Sequence, residues 1–131
     1  MKTTILVQWE RVLAEQVTLP QKNRWTRRAI AQFLGINRIT VKNYAEVIAP
    51  VVRDYRQRIP KESGRFRTGY ALDQYQFWVI CKIAAFMQLL RADLNGSTYT
   101  KDAAQIIAKH QKYLSYEVFV YDMNMHGDSA A

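Results

Sequence analysis

A chain of 131 residues with 49% apolar side chains is long enough to bury a core as one domain and too apolar to remain disordered throughout. Its single cysteine, Cys81, excludes an internal disulfide and argues against a thiolate metal site. The formal charge of +8 is localised: residues 22–67 hold twelve Lys or Arg against three Asp or Glu, and the rest of the chain holds seven against eight. Such a distribution is expected of a surface that binds phosphates.

Residues 3–16 place Ile5, Leu6, Trp9 and Leu13 near one face of a helix, although the β-branched cluster from Thr3 to Val7 leaves a strand open. The helix is the preferred reading. Its expected role is to lay Trp9 and Leu13 on the main domain, with a partner-binding arm as the alternative. Val17 to Arg24 contains Pro20 and reads as a connection.

Trp25 to Ile48 reads as two short helices. Ala29, Ile30, Phe33 and Leu34 share one face of the first, Gly35 supplies the positive φ that ends it, and Asn37 can cap the second. The second places Val41, Tyr44, Ala45 and Ile48 inward and Arg38, Thr40, Lys42 and Asn43 outward. This is the plan of a helix-turn-helix, in which one face packs and the other reads DNA. Arg38 and Lys42, four residues apart, both suit the major groove, Asn43 can pair with adenine, and Ile39 or Thr40 can touch a thymine methyl. Arg27 and Arg28, in the first turn of the first helix, are expected to hold phosphates.

Pro50 is expected to stop the second helix. Val51 to Ile59 reads as a short basic helix or strand with Val52, Tyr55 and Ile59 inward. Pro60 to Tyr70 reads as a hairpin bounded by Pro60 and Gly69. Arg65 and Arg67 would lie on one side of a strand, as a wing that contacts DNA backbone or minor groove.

Ala71 to Leu94 is the longest expected helix, apolar around most of its circumference. It must bury more than one face, and its second face calls for either the C-terminal segment or a second subunit. Phe77 to Leu90 is interrupted by Lys82 and Gln88 and falls short of the roughly 20 residues that span a bilayer. After Asn95-Gly96, a helix capped by Thr98 or Thr100 runs to Tyr113, with Ala103, Ala104, Ile107, His110 and Leu114 as its packing side. Tyr116 to Asp122 alternates and reads as a strand, and a small polar tail from Asn124 is expected to be disordered.

The fold class expected is mainly α with a small β component: a winged helix-turn-helix, helical dimerisation elements and a C-terminal strand. Its organisation is an N-terminal helical extension (1–21), helix-turn-helix and wing (22–70), a dimerisation region (71–123) and the tail (124–131).

These residues resemble the winged helix-turn-helix of the MerR family of transcription regulators. The resemblance runs from Trp25-Thr26 through Ile30-Ala31-Gln32-Phe33-Leu34-Gly35-Ile36-Asn37 and Thr40-Val41-Lys42-Asn43-Tyr44-Ala45-Glu46, and more loosely into Gly64 or Gly69 and the helix from Leu72. It covers about half the chain. Within that family the chain is similar in size and plan to the small MerR-like repressors associated with type V-K CRISPR transposon systems. The resemblance implies a DNA-binding homodimer, with recognition-helix contacts from Arg38, Thr40, Lys42 and Asn43 and wing contacts from Arg65 or Arg67. The chain departs from the family pattern after Leu94, where a helix and a strand replace the long coiled coil, and it offers no metal-binding cysteines.

Catalytic motifs are absent: His110 and His126 have no neighbouring carboxylate and nucleophile, and there is no glycine-rich phosphate loop or metal-spaced His/Cys cluster. No enzyme activity, cofactor or metal is expected. The N-terminus lacks the apolar run and cleavage site of a secretory signal, so a soluble cytoplasmic protein is expected. The function expected is sequence-specific binding of double-stranded DNA by a homodimeric repressor on a palindromic operator, without an effector. An excisionase-like factor that bends DNA and a protein-interaction adaptor remain as alternatives.

Overall fold

The twenty residues Gln74–Asp93 contain no glycine or proline and are apolar on most sides, so they form one uninterrupted helix that has to be enclosed. The computed structural model describes residues 2–15, 17, 19–20, 22, 24–66, 70–93 and 100–130, with backbone alone for 2–6, 8, 62, 65–66, 90–93, 100–102 and 125–130. In chain order the elements are α1 (Lys2–Ala14), α2 (Arg27–Leu34), α3 (Arg38–Asn43), a π-helical segment (Tyr44–Ile48) with a 3-10 turn (Ala49–Val51), α4 (Arg53–Gln57), β1 (Lys61–Glu62), β2 (Arg65–Phe66), α5 (Gln74–Asp93), α6 (Thr100–Lys109), a second 3-10 turn (Gln111–Leu114) and α7 (Tyr116–Ala130).

Helix α5 is the hub. A reciprocal capping box starts it: the Gln76 amide donates to Asp73 Oδ1 at 2.7 Å and the Asp73 amide donates to Gln76 Oε1 at 3.0 Å. From Tyr75 to Met87 only Ala85 is less than buried. Aromatic pairs fasten the surrounding elements to it. Trp9 of α1 meets Phe86 at 4.7 Å between ring centroids, Trp25 and Phe33 meet Phe77 at 4.1 and 5.1 Å, and Phe119 of α7 meets Tyr75 and Trp78 at 5.5 and 5.7 Å. Both faces of α5 are therefore covered within one chain.

Two polar features lock this packing. Lys82, 3% exposed in the middle of α5, points its ammonium at the end of α1, where it donates to Val12 O at 2.9 Å and to Glu15 O. A cation there adds a second donor to Val12 O, which also accepts from the Glu15 amide at 3.2 Å, and complements the helix dipole. Burial lowers its pKa, while nearby Asp122 and Glu15 act in the opposite sense. Arg58, just past α4, donates to Asp73 Oδ2 at 2.6 Å and lies over the rings of Tyr116 and Tyr75 at 4.7 and 5.7 Å. One side chain thus joins α4, the start of α5 and the start of α7.

The structure corrects the expected fold class. The chain is mainly α, as expected, but a winged helix-turn-helix with a C-terminal strand is not what it forms. The segment 116–122 belongs to α7, whose first turn is capped by Ser115 Oγ (to the Val118 amide, 3.2 Å) and by Asp54 Oδ2 of α4 (to the Tyr116 amide, 2.9 Å). Those two acceptors satisfy amides that a helix start leaves open, and Phe119 then packs against Tyr75 and Trp78. In place of a wing there are two-residue strands paired Lys61↔Phe66 and Glu62↔Arg65, with positive φ at both turn residues, Ser63 (55°) and Gly64 (79°), as a two-residue hairpin turn requires. Residues 67–69, including Arg67 and Gly69, lie outside the described residues, as do Thr98, Asn95 and Gly96. Helix α7 continues to Ala130, across the residues expected to form a tail. Among the described residues no helix is long and apolar enough to cross a membrane.

Candidate nucleic-acid interface

Helices α2 and α3 form a tightly specified pair. Thr26 caps α2 by accepting from the Ala29 amide at 3.1 Å, and Gly35 ends it in the left-handed region (φ 67°, ψ 33°). Asn37 opens α3 by accepting from the Ile39 amide at 2.7 Å. Ile30 and Ala31 on one helix, and Val41, Tyr44, Ala45 and Ile48 on the other, are buried. Trp25 fixes the pair to the hub: its backbone exchanges hydrogen bonds with Leu72 at 2.7 and 2.8 Å, and its indole donates to Lys22 O at 2.9 Å.

Beyond Asn43 the helix changes pitch. The segment Tyr44–Ile48 forms a wider π turn. Its cause is local: Pro50 has no amide to donate, and in an unbroken α-helix its ring would meet the Glu46 carbonyl. The Ala49 amide bonds to Tyr44 O instead, and the helix ends at Val52, which is extended (φ −87°, ψ 114°).

Along α3 and the π segment an outward stripe recurs every four positions. Arg38, Ile39, Lys42, Asn43, Glu46 and Val47 are all exposed, Ile39 by 64%. The stripe offers a guanidinium fork, an ammonium, an amide, two apolar contacts and one carboxylate, the range of groups that distinguishes base edges in a major groove.

The expected site residues fall into three groups. Arg28, Arg38, Lys42 and Asn43 are exposed, and Thr40 is half-buried beside them. Arg27 faces inward: its side chain is 12% exposed, its guanidinium lies 5.2 Å from the centre of the Tyr70 ring, and Nη2 is 3.8 Å from Glu46 Oε1. That separation is an ion pair rather than a hydrogen bond, and Arg27 Nε and Nη2 are buried with no hydrogen-bond partner among the described residues. Arg65 lies in β2 opposite Glu62, known by its backbone alone, and Arg67 lies outside the described residues.

Tertiary contacts thus divide the basic surplus. Arg27 and Arg58 are committed to Tyr70, Glu46, Asp73 and the tyrosines of the hub, whereas Arg24, Arg28, Arg38, Lys42, Arg53 and Arg56 remain exposed. The sequence reading did not single out Glu46 and Val47. Their four-residue spacing from Lys42 and Asn43, already legible in the sequence, was the signal that could have found them. No family model, curated protein or solved structure matches the chain.

Proposed function

We propose that the chain binds double-stranded DNA in a sequence-specific manner, with the outward stripe of α3 in the major groove. The observation that carries this reading is the coincidence of that stripe with the basic surplus of residues 22–67. A short, well-capped helix presents donors and apolar groups outward while its other side is buried in the core. Arg38 suits guanine O6 and N7, Asn43 suits adenine N6 and N7, and Ile39 suits a thymine methyl. Arg28 supports the same reading, because the first turn of α2 carries basic residues and no acidic one. Cations oppose the helix dipole there, and a phosphate would relieve the opposition.

The proposed role is transcriptional repression by occupancy of an operator, with two copies on a palindromic site and half-sites about 34 Å apart. The resemblance of Trp25 to Glu46 to MerR regulators supports it. Selection of bound duplexes from a random library tests it. The expected result is an enriched, symmetric motif. Lys42→Ala or Asn43→Ala should relax one or two positions of it, at about 1–3 kcal/mol of discrimination. Arg28→Ala should leave the motif intact and reduce the slope of log affinity against log salt by about 0.9. Salt-independent binding, or the absence of any motif, would contradict the reading, and an asymmetric motif would remove the palindrome.

A further inference from the structure

We propose that Glu46 reads cytosine from the α3 stripe and that Arg27 is its positioning residue rather than a phosphate contact. This rests on the DNA-binding reading of α3 and adds a base and a division of labour to it.

Glu46 is the only acid on the stripe. Two four-residue steps lead from Arg38 through Lys42 to Glu46, and all three side chains are exposed. A carboxylate on a face that meets phosphates weakens binding to DNA in general, so its value lies in discrimination. A carboxylate has acceptors only. Guanine presents two acceptors in the major groove, thymine presents O4, and adenine sets its N7 acceptor beside its amine. Cytosine N4 is a donor without an adjacent acceptor, and is the edge that a carboxylate selects.

Arg27 is built to hold that carboxylate in place. Its guanidinium is pinned against the Tyr70 ring at 5.2 Å, with Nη2 3.8 Å from Glu46 Oε1. Tyr70 is itself buried, and its hydroxyl is 3.1 Å from that of Tyr55. With Nε and Nη2 buried, Arg27 has at most Nη1 to offer outward, and most of its guanidinium is committed to Tyr70 and Glu46. Arg28, next in the chain, is exposed and free to reach a phosphate.

The test is duplex selection with wild type, Glu46→Gln, Arg27→Met and the double variant, each first confirmed as folded by its melting curve. Wild type should require cytosine at one base pair. Glu46→Gln should move that preference to adenine, the base a carboxamide pairs with bidentately. Arg27→Met should broaden the preference at the same base pair and leave the salt slope unchanged, in contrast to Arg28→Ala. The double variant removes both charges together, so it should keep the preference for adenine even where Glu46→Gln alone does not fold. An unchanged motif in the Gln variants overturns the role of Glu46. A salt slope reduced by Arg27→Met as much as by Arg28→Ala overturns the role of Arg27. If wild type enriches no motif, the DNA-binding reading falls, and this inference with it.

Discussion

Four buried groups, Tyr55, Tyr70, Tyr75 and Cys81, make the stability of the protein sensitive to alkali. Burial raises the pKa of each above its ordinary value of 10.0 for tyrosine and 9.0 for cysteine, with the Cys81 thiol pushed up to about 12. A raised acid contributes stability that is fully present below its unfolded pKa and lost as pH climbs from that value toward the folded one. Lys82 acts in reverse: its lowered pKa favours the folded state as pH rises. Four groups outweigh one, so the urea midpoint, followed by tryptophan fluorescence, should be lower at about pH 10.5 than at about pH 8. An equal or higher midpoint at the alkaline pH would show that these groups are not buried as described.

At the scale of elements, Asp73 bears two loads: it caps α5 through the Gln76 amide and anchors Arg58 against α7. Asp73→Ala should cost roughly 1–2 kcal/mol in denaturant unfolding, since a lost cap is worth about 1 and a half-exposed ion pair at most about 1. Asp73→Asn keeps an acceptor for the cap and should cost less than half as much. Equal losses in the two variants would place the whole effect in the ion pair.

The same scale shows where the sequence was legible. The pair α2–α3 is readable because its signals are local: Gly35 adopts the positive φ expected of it, Asn37 caps as expected, and Val41, Tyr44, Ala45 and Ile48 turn inward. The inward set Val52, Tyr55 and Ile59 is readable for the same reason. Helix α7 is not, because Tyr116 to Asp122 is a short apolar run with alternating β-branched residues, and periodicity alone does not separate strand from helix there. What decides it is Asp54, 62 positions away, accepting from the Tyr116 amide, and the packing of Phe119 against Tyr75 and Trp78. The inward turn of Arg27 depends in the same way on Tyr70, which is remote in sequence. Lys82 reads as an interruption of an apolar run until α1 is placed against α5, where it becomes the cap of a neighbouring helix.

Across the whole molecule, one enclosed helix supports one presented helix. The sequence calls for cover on both faces of α5 without saying whether it comes from the same chain or a second copy. The structure supplies it from α1, α2, the residues just before α2, and α7, through Trp9, Phe33, Trp25 and Phe119. A second copy on a palindromic site would therefore meet the first through a different surface. On this support, α3 and the π segment turn Arg38, Ile39, Lys42, Asn43, Glu46 and Val47 outward together, so an ordered partner can be met without rearranging the core. The most direct measurement is an amide chemical-shift map of the labelled protein titrated with its selected duplex. Shifts should concentrate on residues 26–47, strongest from Arg38 to Val47 and near Arg28, with α5 and α6 unmoved. Shifts gathered instead on the exposed tyrosines Tyr113, Tyr116 and Tyr121, with α3 silent, would contradict DNA reading by this face.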